Sequence, residues 1–241
     1  MGGHSKLTRK QHWVPQFYLR HFADRRGGLY AYNRMGNNFY STNTRDACSS
    51  NYLHEVERKH KADGASGRFL RANRIEDGLS RAEGLLAPIY DGFIRCCESG
   101  KLDGEEFHSC RLAVCYLFAS LIERHPLALK ERRAGAIAIA QDYLESKRLT
   151  EAEAERLRMH GMDGELEGAT EQFAMEASLF TADQDAWLIR ISSKLYDMGL
   201  TVAEAPVGTE FVSTSLPLYT ESDVMADGFE PEIAYMPLSS R

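Results

Sequence analysis

The sequence has no long hydrophobic run, no closely spaced cysteine pair and no glycine-rich phosphate loop, and each absence removes a class of protein. Its longest strongly apolar stretch, Leu112 to Ile122, is too short to cross a bilayer and carries Cys115, Tyr116 and Ser120. The opening "MGGHSKLTRKQ" has neither the apolar core nor the small-residue cleavage site of a secretory signal. The expectation is a cytoplasmic chain with no membrane partner. The 5 cysteines are odd in number and form no C-x-x-C pair, so neither a disulfide framework nor a metal site is expected. Cys110 falls on the apolar side of a helix and reads as a small core residue. No P-loop, dinucleotide-binding glycine motif, G-x-S-x-G or H-E-x-x-H is present, so the cofactor is unknown and catalysis stays an open question.

What is present reads as a globular chain. With 241 residues, 43% hydrophobic and 27% charged, it has the length and composition to bury a core, and it shows no repeat or low-complexity tract. The net charge of -6 conceals an asymmetry. Residues 1 to 74 carry 14 Lys+Arg against 5 Asp+Glu, whereas residues 75 to 241 carry 15 against 30. Either the basic third presents a face to phosphate or nucleic acid, or the two regions pair with each other.

Periodicity divides the chain. Pro15 fits the first turn of a short helix over Pro15 to Ala23, with apolar residues three and four apart. "LYAYNRMGNNFYST" reads as a hairpin pairing Leu29–Asn33 with Asn38–Thr42. Gly67 to Ser99 is rich in helix formers but broken by Gly78, Gly84 and Pro88, which predicts two shorter helices or a kinked one. The clearest helix runs from Gly104 to Pro126, with acids in its first turn and cations in its last. Another follows over Leu127 to Ser146, then a solvated charged stretch from Thr150 to Gly168. Thr170 to Met198 is amphipathic, anchored by Phe173, Ala177, Phe180, Trp187, Ile191, Leu195 and Met198.

Three β-like runs, "LTVAEAP", "EFVSTSLPLY" and "PEIAYMPL", follow it. The predicted fold is α+β and mostly helical, a central bundle with a small antiparallel sheet built from N- and C-terminal strands. One domain over 1–241 is expected, with helix and hairpin at 12–45, helices at 66–199 and strands at 200–238.

Few polar residues resist explanation by folding. On a helical wheel Val14, Phe17, Tyr18, His21 and Phe22 share a face, so His21 reads as a packed core histidine, while Gln16 and Arg20 lie opposite. His12 precedes that helix, where periodicity does not account for it; it either bonds the nearby backbone or does chemistry. Arg111 falls among Val114, Phe118 and Ile122 and must snorkel, find a carboxylate or carbonyls, or bind an anion. Arg124 reads as a helix C-terminal cation or as a site residue. Ser213, Thr214 and Ser215, before Pro217, offer hydroxyls at a strand end.

Together these segments resemble the domain of unknown function 4238 family. "QHWVPQFYLRHFAD" is similar to its N-terminal hallmark, "ERHP" to its Arg-x-Pro, and "TEFVSTSLPLY" to its F-I-T-S-D-N-P stretch. "IAYMPLSSR" is similar to its P-L-S-P stretch, soon after which this chain stops, as a shortened member would. The resemblance maps His12, Pro15, Gln16, Leu19 and Phe22 onto the first motif and Arg124 and Pro126 onto the second. It maps Phe211, Ser213, Thr214 and Pro217 onto the third. Where the family has Asp-Asn, this chain has Ser215-Leu216; should that Asp be a base or ligand, this protein has lost or altered the activity.

The resemblance implies no activity. The leading expectation is binding, with nuclease-like cleavage, of nucleic acid or a phosphorylated ligand in a mobile-element or defence setting. His12, Arg124 and Thr214 would do the chemistry, and Gln16, Arg20, Arg111, Ser213 and Ser215 the binding. The alternatives are a non-catalytic module for a protein partner and, third, a small-molecule hydrolase using Ser213 or Ser215. Oligomeric state is unreadable.

Overall fold

The computed structural model describes residues 7–58, 68–146, 150–159, 166–180, 182–220 and 234–240. It is mostly helical α+β, as the composition and periodicity imply. Strand β1 (Lys10–His12) leads through Pro15 into helix α1 (Gln16–Leu19), which tightens into a 3-10 turn over Arg20–Phe22. The hairpin strands are β2 (Gly28–Asn33) and β3 (Asn38–Asn43), and β4 (Ser49–Asn51) returns to pair with β1. Helices α2 (Arg74–Glu98), α3 (Glu105–Arg124), α4 (Pro126–Ser146), α5 (Glu151–Met159), α6 (Leu166–Phe180) and α7 (Ala182–Asp197) follow. The short strands β5 (Tyr219–Thr220) and β6 (Ala234–Tyr235) come last.

The strands differ from the expected shared sheet. Among the described residues they form three separate antiparallel pairs, each within one end of the chain. Most of "LTVAEAP" and "EFVSTSLPLY" runs without a ladder, and Ser213 and Ser215 of the second run bond to the N-terminal segment instead. Tyr18 hydroxyl donates to Pro237 O at 2.7 Å and shares a 2.8 Å bond with Ser213 Oγ. Trp13 Nε1 donates to Ser215 O, and Ser240 N to His21 O. The two ends of the chain meet through these bonds rather than through a sheet.

Helix α2 is one element, not two. Gly84 and Pro88 stand four residues apart, so the hydrogen bond that proline cannot make is the one to the Gly84 carbonyl. Both residues are exposed and nothing packs over Gly84, which leaves that carbonyl to water. Burial of Ile75, Leu79, Tyr90, Phe93 and Ile94 on the other face carries the helix through the break. Conversely, the segment from Thr170 to Met198 is two helices, α6 and α7, with residue 181 outside the described ones. Ile191 and Leu195 are buried anchors, whereas Phe173 is exposed; the side chains of Ala177, Phe180 and Trp187 lie outside the described residues.

The main core joins α1, α2, α3 and α7 around Val14, Tyr18, Phe118, Leu117 and Leu121. Tyr18 is fully buried, with Tyr90 and Phe118 edge-on at 5.8 Å, a favoured aromatic geometry. A second cluster, with Val56, Ile75, Leu129 and Met175, lies under α4 and α6. No single described helix is long and apolar enough to cross a membrane.

Candidate functional site

The site begins with β1. Gln11 and His12 are both buried, and three left-handed residues outside glycine, Cys48, Tyr52 and Asn73, fix the chain packed around them. Such backbone is uncommon for these residue types and costs roughly 1–3 kcal/mol each, so the surroundings must hold it. They do so with backbone bonds: Trp13 N donates to Cys48 O, and Tyr52 N to Arg9 O at 2.8 Å. Gln11 completes the frame, its Nε2 donating to Glu55 Oε1 at 2.7 Å while its Oε1 accepts His54 N at 2.7 Å. Asn73 N, at the start of α2, also donates to Glu55 Oε1.

His12 sits in this frame with its Nε2 2.9 Å from Arg45 O. A carbonyl can only accept, so Nε2 carries the proton and Nδ1 keeps its lone pair, with no partner among the described residues. Burial lowers the pKa below 6.5 against the raising pull of Glu76 and Glu83, so the ring is neutral at pH 7. It lines an open cavity of about 840 Å³ together with Gln16 and the cations Arg9, Lys10 and Arg45. Lys10 pairs with Asp46, while Arg9 and Arg45 make no ion pair among the described residues.

Behind His12 lies a buried polar cluster. Arg124, 3% exposed, donates from Nη2 to His12 O at 3.0 Å and to the Glu83 carboxylate. This is where the sequence expectation changes: Arg124 meets His12 through the backbone and does not line the cavity. Its neighbour Glu123 is also buried and pairs with Arg132, whose pKa burial pushes down to about 10. His54 is 1% exposed, with Nδ1 3.4 Å from Glu76 Oε2, an ion-pair distance without hydrogen-bond geometry. Burial holds its pKa low as well.

Other expected site residues stand elsewhere. Thr214 is exposed and its hydroxyl donates to Leu216 O, an interaction within its own loop. Ser213 and Ser215 attach that loop to Tyr18 and Trp13. Arg111 finds a carbonyl, one of the outcomes expected for it: it donates to Met198 O and lies 4.9 Å over the Tyr196 ring. Arg20 is exposed and does not line the cavity. His21 is half-buried at the rim of the core, 3.1 Å from Asp91 Oδ1.

Sequence reasoning missed His54, Glu76 and Glu83. The two glutamates had a signal, since Glu76, Leu79, Glu83, Leu86 and Tyr90 recur at spacings of three and four, putting both carboxylates in an apolar stripe. His54 had none, because its segment has no regular period.

Among the described residues no group of three or more His, Cys, Asp or Glu is placed to hold a metal ion. No curated protein and no solved structure matches the chain. The model of the family described as "Protein of unknown function (DUF4238)" matches residues 10–241, nearly the whole sequence, and the chain belongs to that family.

Proposed function

We propose that the chain is a cytoplasmic protein that binds a phosphate-bearing ligand, nucleic acid foremost, in the cavity around His12, and that His12 equips the cavity for phosphoester cleavage. The observation that carries this reading is the convergence of Arg9 and Arg45, beside a Lys10 paired with Asp46, on one open cavity with a neutral histidine. Guanidinium and ammonium groups offset phosphate charge, and a fixed Nε2–H tautomer leaves Nδ1 to accept a proton. In the cleavage step Nδ1 takes the proton of an attacking water, whose oxygen bonds to phosphorus. The bond to the leaving oxygen breaks, and that oxygen is protonated from solvent.

The ring itself provides the test. In an isotope-edited histidine spectrum, His12 should show the Nε2–H tautomer and titrate below 6.5. The dinucleotide pdTpdT should shift its resonances and leave those of His108, which bonds Tyr196, in place. Cleavage, where present, should fall only as pH drops through that lowered value, because acid protonates the base. A His12 signal that ignores pdTpdT contradicts the reading.

The second reading, a non-catalytic module for a protein partner, is favoured by one fact: Arg124 and Thr214 do not line the cavity and are committed to structural hydrogen bonds. An unchanged biological phenotype in folded His12→Ala protein would select it.

A further inference from the structure

Side chains alternate along the β2–β3 hairpin, and residues paired across it share a face. Tyr30 pairs with Ser41 and Tyr32 with Phe39, so Tyr30, Tyr32 and Phe39 lie on one face, opposite to that of Leu29, Ala31 and Tyr40. Leu29 packs against the core. The other face meets solvent with Tyr30 87% exposed and Phe39 77% exposed, and with Tyr32 4.9 Å from the Phe39 ring. Exposed aromatic hairpins are normally covered or interrupted by charge of both signs. Here residues 25 to 45 contain 4 Arg and no Asp or Glu. The flanking carboxylates are occupied, Asp24 by the Arg26 and Gly28 N–H groups and Asp46 by Lys10 and Asn43.

We infer that this face is a stacking platform for unpaired bases, which makes the ligand of the cavity single-stranded nucleic acid. The inference rests on the reading of the cavity as a phosphate site. A flat partner with open π faces and regular negative charge matches exposed rings on a segment that carries 4 Arg and no acid, and a duplex hides those faces. The platform is continuous with the cavity, since β3 ends at Asn43, which lines it. Phe39 and Asn43 are separated by about 14 Å at the rise of an extended strand.

Fluorescence anisotropy with dT20, the dT20·dA20 duplex and pdTpdT tests this. Wild-type protein should bind dT20 about tenfold or more tighter than the duplex. Tyr30→Ala and Phe39→Ala should each weaken dT20 by about tenfold and leave pdTpdT unchanged, while Tyr30→Trp keeps full affinity. Tyr30 is so exposed that its loss leaves the fold intact, which circular dichroism checks. Duplex bound as tightly as dT20 overturns the inference. Affinity for dT20 that survives loss of both rings also overturns it and assigns the face to a protein partner. Failure of wild-type protein to bind pdTpdT, with Tyr30→Ala still weakening dT20, overturns the cavity reading alone.

Discussion

Arg124 spends its charge on holding the site together. Removing the guanidinium leaves the buried His12 carbonyl and the half-buried Glu83 carboxylate without their donor. Arg124→Met should therefore cost about 3–5 kcal/mol, read as a lowered urea midpoint, because a broken buried pair strands a charge. Arg124→Lys should recover only part of that loss, since a point ammonium does not reproduce a fork of donors. His12 was legible in the sequence by elimination: no periodicity explained it. Its partner was not, since Arg45 O lies 33 residues away in a loop and contributes only a backbone atom. Backbone acceptors leave no trace in residue type. The same holds for Arg111, whose place beside the apolar face was readable and whose acceptor, Met198 O, was not.

At the scale of elements, local chemistry was legible where one rule governed a segment. The hairpin register follows from its turn: Asn33 Oδ1 accepts the N–H groups of Met35 and Gly36, and Asn37 takes a left-handed backbone. A Cβ at Gly36 would meet Asn38 Oδ1 at 2.6 Å, so a larger residue there would have to displace the Asn38 side chain. Over α2 the sequence left one helix or two open, because Gly and Pro breaks look alike in sequence whether they face water or core. Pro88→Ala restores the bond to the Gly84 carbonyl and removes the ring's clash; thermal unfolding should show a gain of roughly 1–3 kcal/mol. An unchanged or lower stability would mean that the helix already relaxes fully around the proline. The C-terminal runs, by contrast, misled. Their β-favouring composition was real, but their hydrogen-bond partners, Tyr18, Trp13 and His21, lie about 200 residues earlier.

Across the whole molecule, the asymmetry of charge between the first 74 residues and the rest now has a location. Part of the basic third is spent on internal pairing, as in Arg71 with Glu176 and Lys10 with Asp46. Arg9 and Arg45 at the cavity, and Arg25, Arg26 and Arg34 in and beside the hairpin, are what remains for a partner. Pairing between the two regions is thus seen at Arg71, whereas Lys10 pairs within the basic third and Arg9 and Arg45 are the cations on which the proposed phosphate site rests. The fold class followed from composition and periodicity, whereas the cavity required the β1–β4 pairing, which no local pattern announces.

The salt dependence of dT20 binding tests the central claim most directly, because phosphate contacts release counterions and neutral contacts do not. Plotted as log affinity against log salt, wild-type binding should fall steeply. Arg9→Ala and Arg45→Ala should each flatten the slope by about 0.7, one phosphate contact on a single strand. A slope that is flat in the wild type, or that stays at the wild-type value in both variants, would contradict a phosphate site at His12.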